Sequence, residues 1–324
     1  MNQTEIARKL GISQSAVSLV LRNPATERVS ARKKEQIIRH LKENGSMNQF
    51  GHIRTWNIGY VTDPLQDIHR DFFQDSLRGI EQVAAANHYN LIFECQRGQE
   101  LNLLRRGKAD GLIIRSGKAF EQLRTAPLPL PVVLLNCSDD SLSCDMVMPD
   151  NRGGMFKIVR HLAGRGCRKI GFIGGEPDYS PYSCNYRERG NAVAEAAEVT
   201  GLKLLREELD LPVGSRESFR RIGAILEQWG SLSAPPDAVV TVNHFYGALV
   251  RRLRPELTVI AGDNKVEPGF EDSELAMLIQ DSCYMGTLAA ELLFKRMAEP
   301  GRKHLRINCD MELHLPKKQG DSIL

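Results

Sequence analysis

From Trp56 onward, short β-branched and aliphatic runs alternate with stretches of helical periodicity, and this alternation limits the fold more than any other feature. "IGYVT", the stretch from Phe73 to His88, "NLIFEC", a further helical stretch, "GLIIRS" and "PVVLLNC" follow one another in that order. Parallel strands need a long crossover to carry the chain back, and strands covered on both faces read as continuous apolar runs. The rhythm therefore predicts a doubly wound parallel α/β sheet. It restarts at "RKIGFIGG" (168–175) and continues through Asn185 to Gly201, "DAVVTVN" (237–243) and "LTVIAGD" (257–263), ending in a helix from Cys283 to Ala298. Two sheets of similar build predict two lobes.

Open α/β sheets bind ligands outside the carboxyl ends of their strands. The polar residues that follow the predicted strands are Asp63, Arg115, Ser116, Asp150, Asn243 and Asp263. Each has a plainer use, since Asp, Asn and Ser cap helices and Arg is commonly solvated. As a set they describe a polar cleft.

The residues before Trp56 have another character. Residues 1–54 hold ten Lys/Arg against four Asp/Glu, a charge of +6, whereas the remainder holds 33 against 36, a charge of −3. That asymmetry points to a module attracted to a polyanion. Asn2 to Glu5 reads as a capping box that starts a helix burying Ile6, Ala7 and Leu10. Gly11 ends it, and Ser13 caps a second helix whose inner face carries Ala16, Val17, Val20 and Leu21. A third helix runs from its cap at Ser30 to Gly45 and buries Ile37, Ile38 and Leu41. The outer face of the second helix presents Gln14, Ser15, Ser18, Leu19 and Arg22, side chains that fit a DNA major groove about 12 Å wide. On these residues alone, a three-helix protein-binding bundle stays open as the rival to a helix-turn-helix.

The stretch "EIARKLGISQSAVSLVLRNPATERVSARKKEQI" resembles the DNA-binding headpiece of the LacI/GalR regulators. The match runs through Ile6-Ala7, Gly11-Ile12-Ser13, Ala16-Val17-Ser18, Val20-Leu21, Asn23-Pro24 and Val29-Ser30. The resemblance implies base contacts from Gln14, Ser15 and Leu19, and phosphate contacts from Thr4, Ser13, Ser18 and Ser30. Leu19 departs from the arginine common in the family, so a guanine contact gives way to apolar contact with a thymine methyl. Arg22, one turn on, either supplies the replacement charge or touches phosphate.

Further along, "GKADGLIIRSG", "PDNRGG", "HLAGRGCRKIGFIGG", "YRERG", "VVTVNH", "TVIAGDN" and "LIQDSCYMGTLAAELLFKRM" resemble, in order and spacing, the effector-binding core that these regulators share with periplasmic sugar-binding proteins. Carried over, Arg187 is the arginine that grips ligand hydroxyls or a carboxylate, and Asp263 is the acceptor for sugar hydroxyls. Asn243 and Gln280 add polar contacts, while Phe72 and Phe73 either stack on the ligand or fill the core. His244 replaces a common aspartate. Together with Arg115 and Arg187, it suggests an anionic sugar derivative. The linker "SMNQFGHIRTWN" lacks the family's hinge-helix signature, and Met47, Phe50 and Ile53 are its apolar residues.

The expected organisation is a helix-turn-helix domain over 1–45, a linker over 46–57, and a two-lobed effector-binding and dimerisation domain over 58–324. Seven scattered cysteines without metal-ligand spacing argue against a zinc site or a disulfide framework, and no apolar run reaches membrane-spanning length. Neither a Walker P-loop, GxSxG, HExxH nor CxxC is present, which argues against the common enzyme classes. The paired carboxylates Glu207 and Glu208 read as solvated residues in helix-like surroundings. These readings predict a cytoplasmic homodimeric repressor without catalytic residues, cofactor or metal, binding a pseudo-palindromic double-stranded operator and a carbohydrate effector. The homodimer comes from the resemblance alone. A constitutive regulator whose sensor has lost its ligand or answers a protein partner is the alternative.

Overall fold

The computed structural model describes residues 3–22, 28–43, 55–62, 71–95, 101–105, 107–115, 119, 123–124, 130–175, 183–212, 214–262 and 275–316. Asn2, Met47, Phe50, Ile53, Asp63, Ser116 and Asp263 lie outside these residues, as does the side chain of Arg22.

Three helices form the N-terminal unit: α1 (Gln3–Leu10), α2 (Gln14–Arg22) and α3 (Ala31–Glu43). They close over Ile6, Ala7, Val17, Val20, Leu21, Val29, Ile37 and Leu41. Gly11 makes the turn between α1 and α2 at φ +64°, a left-handed conformation that glycine enters without steric cost. The Ile12 amide donates to the Ala7 carbonyl across the same turn at 3.0 Å.

The remaining chain forms two six-stranded sheets. The first lobe contains β1 (Asn57–Thr62), α4 (Asp71–Ala86), β2 (Asn90–Cys95), α5 (Asn102–Arg105), β3 (Gly111–Arg115), β4 (Val132–Leu135) and β5 (Asp145–Pro149). The second contains α6 (Asn151–Gly164), β6 (Lys169–Gly174), α7 (Ser183–Thr200), β7 (Lys203–Glu208), α8 (Arg216–Gly230), β8 (Ala238–Thr241), α9 (His244–Leu253), β9 (Thr258–Gly262) and β10 (Ala276–Gln280). The chain then returns to the first lobe through α10 (Ser282–Ala298) and β11 (Arg306–Cys309), and ends in the second with β12 (Met311–His314).

Strand order is β2-β1-β3-β4-β5-β11 in one sheet and β7-β6-β8-β9-β10-β12 in the other. Among the described residues nine of the ten ladders are parallel, and only β10 with β12 is antiparallel. The inner strands β3, β4 and β8 are buried at every residue because helices cover both sheet faces. Three segments cross between the lobes: Pro149 to Asn151, Gln280 to Ser282, and Cys309 to Met311.

In the first lobe, α4 and α10 touch at backbone distance. A Cβ on Gly79 would overlap the Cys283 carbonyl, and one on Gly286 would overlap the Ser76 carbonyl. The sequence reading placed Glu207 and Glu208 in helix-like surroundings. Instead they lie on β7, the outer strand of its sheet, where Glu208 pairs with Arg206 and Glu207 lies 3.6 Å from Arg221. The run "KLLREE" is a strand because its partner β6 takes it in parallel register, a preference its own charges hide.

Candidate nucleic-acid interface and interlobe cleft

At the start of α2, Ser13, Gln14 and Ser15 are exposed. The Ser13 hydroxyl oxygen accepts from the Ala16 amide at 3.2 Å, a helix cap, and it also accepts from the Ser15 hydroxyl at 3.1 Å. Its own proton stays available to an anionic oxygen. Thr4 on α1 and Ser30 ahead of α3 are exposed, while Ser18 is half-buried. Leu19 is also half-buried and packs against the three-helix core, so only part of it faces outward as the sequence reading has it. Arg8 and Lys9 in the last turn of α1, and Arg32 and Lys33 in the first turn of α3, supply exposed positive charge.

Between the lobes, the strand order in each sheet reverses at its second strand, which places a crevice at the carboxyl ends of β1 and β3 and of β6 and β8. Thr62 and Arg115 end β1 and β3 side by side in register. Thr62 is buried, and its hydroxyl has no partner among the described residues. The buried Arg115 guanidinium lies 4.7 Å from the centre of the Phe72 ring. Phe73 belongs to the lobe core and stacks on Tyr60 at 5.6 Å, so its ring face meets protein. Burial raises the Tyr60 phenol above its ordinary pKa, against the opposing field of Arg115 and a hydrogen bond shared with the Ser76 hydroxyl.

Across the crevice, Asn243 caps α9 by accepting from the Tyr246 amide at 2.9 Å, and its side-chain nitrogen is buried without a partner among the described residues. His244 is half-buried beside it. Gln280 ends β10 and is buried. Asp150 caps α6, accepting from the Gly153 amide at 2.9 Å. The structure thus places Arg115 and Gln280 at strand ends and Phe72 and Asn243 at helix starts.

Arg187 is different, because it is exposed on α7. Two residues on, Arg189 is only 1% exposed. It donates from Nε to the Asn151 side-chain oxygen at 2.8 Å, and from Nη1 to the Val242 carbonyl at 2.9 Å and the Gly262 carbonyl at 3.3 Å. The Asn151 amide donates in turn to Asn185 at 2.9 Å and to Glu188 at 2.8 Å. Asn185 donates to the Asn136 carbonyl, in the other lobe, at 2.9 Å. Sequence reasoning missed this network. The available signal was helical phase: Arg189 shares the buried stripe of Tyr186, Val193, Ala196 and Ala197, whereas Arg187 lies off it.

A cavity of about 300 Å³ lies between the start of α6, α7 and β11; of its charged side chains Arg152 pairs with Glu195 and Arg306 with Glu188, while Asp150 caps α6. Among the described residues no group of three His, Cys, Asp or Glu gathers as a metal site, and no described helix is long and apolar enough to cross a membrane.

The periplasmic binding protein-like domain model matches residues 159–315. The chain is 28% identical to the HTH-type transcriptional repressor CytR of Escherichia coli over 320 residues, covering 90% of this chain and 89% of that one. It is 26% identical to catabolite control protein A of Priestia megaterium over 332 residues, covering 92% and 93%. These matches cover nine-tenths or more of the chain. This chain is a homologue of the LacI/GalR repressors.

A solved complex of the transcriptional regulator CelR with cellobiose has the same fold, with a TM-score of 0.66 at 18% identity, covering 97% of this LacI/GalR homologue and 98% of that chain. The homologues are transcriptional regulators rather than enzymes.

Proposed function

We propose that this chain is a cytoplasmic, sequence-specific transcriptional repressor whose DNA affinity is set by a carbohydrate effector held between its lobes. The observation that carries the reading is the exposed Ser13-Gln14-Ser15 edge of α2 on a basic three-helix unit joined to a two-lobed core. Gln14 and Ser15 read base edges, and Thr4, Ser13, Ser18 and Ser30 hold phosphates. Arg115, Asn243, Gln280, Asp263 and Asp63 surround the effector, with Phe72 against one side, Asp150 at the hinge and Arg187 at the rim. Two copies place two headpieces on a pseudo-palindromic operator. The dimer is supported by β2, an outermost strand on which Phe93 is 49% exposed. Effector binding favours one degree of lobe closure and shifts DNA affinity by its preference for that state, on the order of 1–3 kcal/mol of coupling.

Selection of duplexes from a random pool, followed by binding titrations on the winner and on scrambled DNA, tests this. Wild-type protein is expected to prefer the winner by about a thousandfold or more. Gln14→Ala with Ser15→Ala should lose about 1–3 kcal/mol of that preference while keeping the salt-dependent affinity for scrambled DNA. Equal affinity of the wild type for every duplex would overturn the reading.

A further inference from the structure

The effector contacts proposed for the second lobe lie just past two strands: Asn243 is two residues beyond the end of β8 and follows Val242, and Asp263 follows Gly262, the last residue of β9. The carbonyls of Val242 and Gly262 are both held by one buried guanidinium, that of Arg189. Through Nε the same side chain holds Asn151, the residue at which the first interlobe crossover becomes α6. Asn151 holds Asn185, and Asn185 reaches the other lobe, donating to the carbonyl oxygen of Asn136 at 2.9 Å and to its side-chain oxygen at 3.2 Å. Asn136 stands just after β4 at φ +55°, a left-handed conformation that asparagine tolerates better than most side chains. That turn aims its backbone carbonyl at the second lobe. Beside this chain of bonds, Arg306 of β11 donates to Glu188 of α7 at 2.9 Å, a second tie between the lobes.

We propose that Arg189 is a positioning residue that couples the effector-facing strand ends of the second lobe to lobe closure, acting through Asn151, Asn185 and Asn136. The physical reason lies in the geometry of guanidinium. Its planar fork presents donors in fixed directions, so the two carbonyls and the Asn151 oxygen cannot shift independently of one another. A ligand that moves β8 or β9 must either carry Asn151 with it or leave a buried donor unsatisfied, and the second course is costly. Movement of Asn151 is movement at the hinge, and the Asn185 bond converts it into a change at the first lobe. The inference rests on the effector reading for its purpose, and its test is separate.

Hydrogen exchange followed by mass spectrometry on the full chain supplies that test, with no effector required. Asn185→Ala removes the link to the first lobe, and exchange over residues 136–142 is expected to accelerate about tenfold. Arg189→Lys keeps the charge without the fork. It should accelerate exchange at the start of α9 and over 136–142, and its effect on 136–142 should vanish when Asn185→Ala is already present. That non-additivity is a result a merely structural arginine does not produce. If Arg189→Lys lowers solubility or folding, Asn151→Ala cuts the same path and leaves the buried charge in place. Exchange changes confined to the second lobe, or additive effects of the two substitutions on 136–142, would overturn the proposal. Failure of sequence-selective DNA binding would instead overturn the regulatory reading and leave the coupling as measured.

Discussion

Asp145 opens β5, and its fully buried carboxylate gathers three donors from the far end of the chain. Arg296 donates from Nε at 3.0 Å and from Nη2 at 3.3 Å, Arg302 donates at 2.9 Å, and the Leu305 amide at 2.8 Å. These bonds fasten the end of α10 and the segment leading into β11 to the first lobe. Asp145→Asn keeps the shape, removes the charge and leaves Arg296, with a side chain only 7% exposed, beside a neutral amide. Removing one partner of a buried ion pair costs about 3–5 kcal/mol. Against a domain stability of roughly 5–15 kcal/mol, that is a large share.

The two tryptophans make the loss measurable, since Trp56 packs on Tyr89 in the first lobe and Trp229 is buried in the second. Urea unfolding followed by Trp56 fluorescence in a Trp229→Phe background should show the first-lobe transition moved to lower urea by that amount. A loss below about 1 kcal/mol would refute the reasoning, because it would mean that the two arginines find equivalent acceptors elsewhere. The pH dependence has a definite sign. Burial alone would raise the Asp145 carboxyl, but hydrogen bonds from Arg296, the Leu305 amide and Arg302, with the Arg296 charge, hold it below its ordinary value. The stabilisation is therefore complete above the unfolded carboxyl pKa of about 3.9 and is lost as pH falls through the lower folded value. The gap between wild type and Asp145→Asn should narrow only below about pH 4.

Two further substitutions test the packing and the cap. Gly286→Ala places a Cβ onto the Ser76 carbonyl and forces α4 and α10 apart, so a loss of about 1–3 kcal/mol is expected in the same first-lobe transition. Ser13→Ala removes the oxygen that caps α2, about 1 kcal/mol of headpiece stability, and should weaken binding to selected and scrambled duplexes alike.

Much of the architecture was legible where a local rule decides it. The glycine at position 11, the serine cap two residues later and the inner residues Val17, Val20 and Leu21 lie where helical spacing predicts. The helices expected over 73–88, 185–201 and 283–298 fall on Asp71–Ala86, Ser183–Thr200 and Ser282–Ala298. The polar strands were not legible, since "KLLREE" and "RINC" read as strands only beside the partners that pair with them. At the cleft, Asp150 and Asn243 were found through their place after strands, and both act as helix caps in the structure.

By itself, the sequence determined the alternation of apolar strands and amphipathic helices, the basic headpiece and the polar strand ends, because burial and capping act over a few neighbouring residues. Tertiary structure alone decided which arginine of "YRERG" turns inward and what it holds. Val242, Gly262, Asn151 and Asn136 come from four separate stretches of chain, and no local spacing records that folding brings their oxygens into one hydrogen-bonded network.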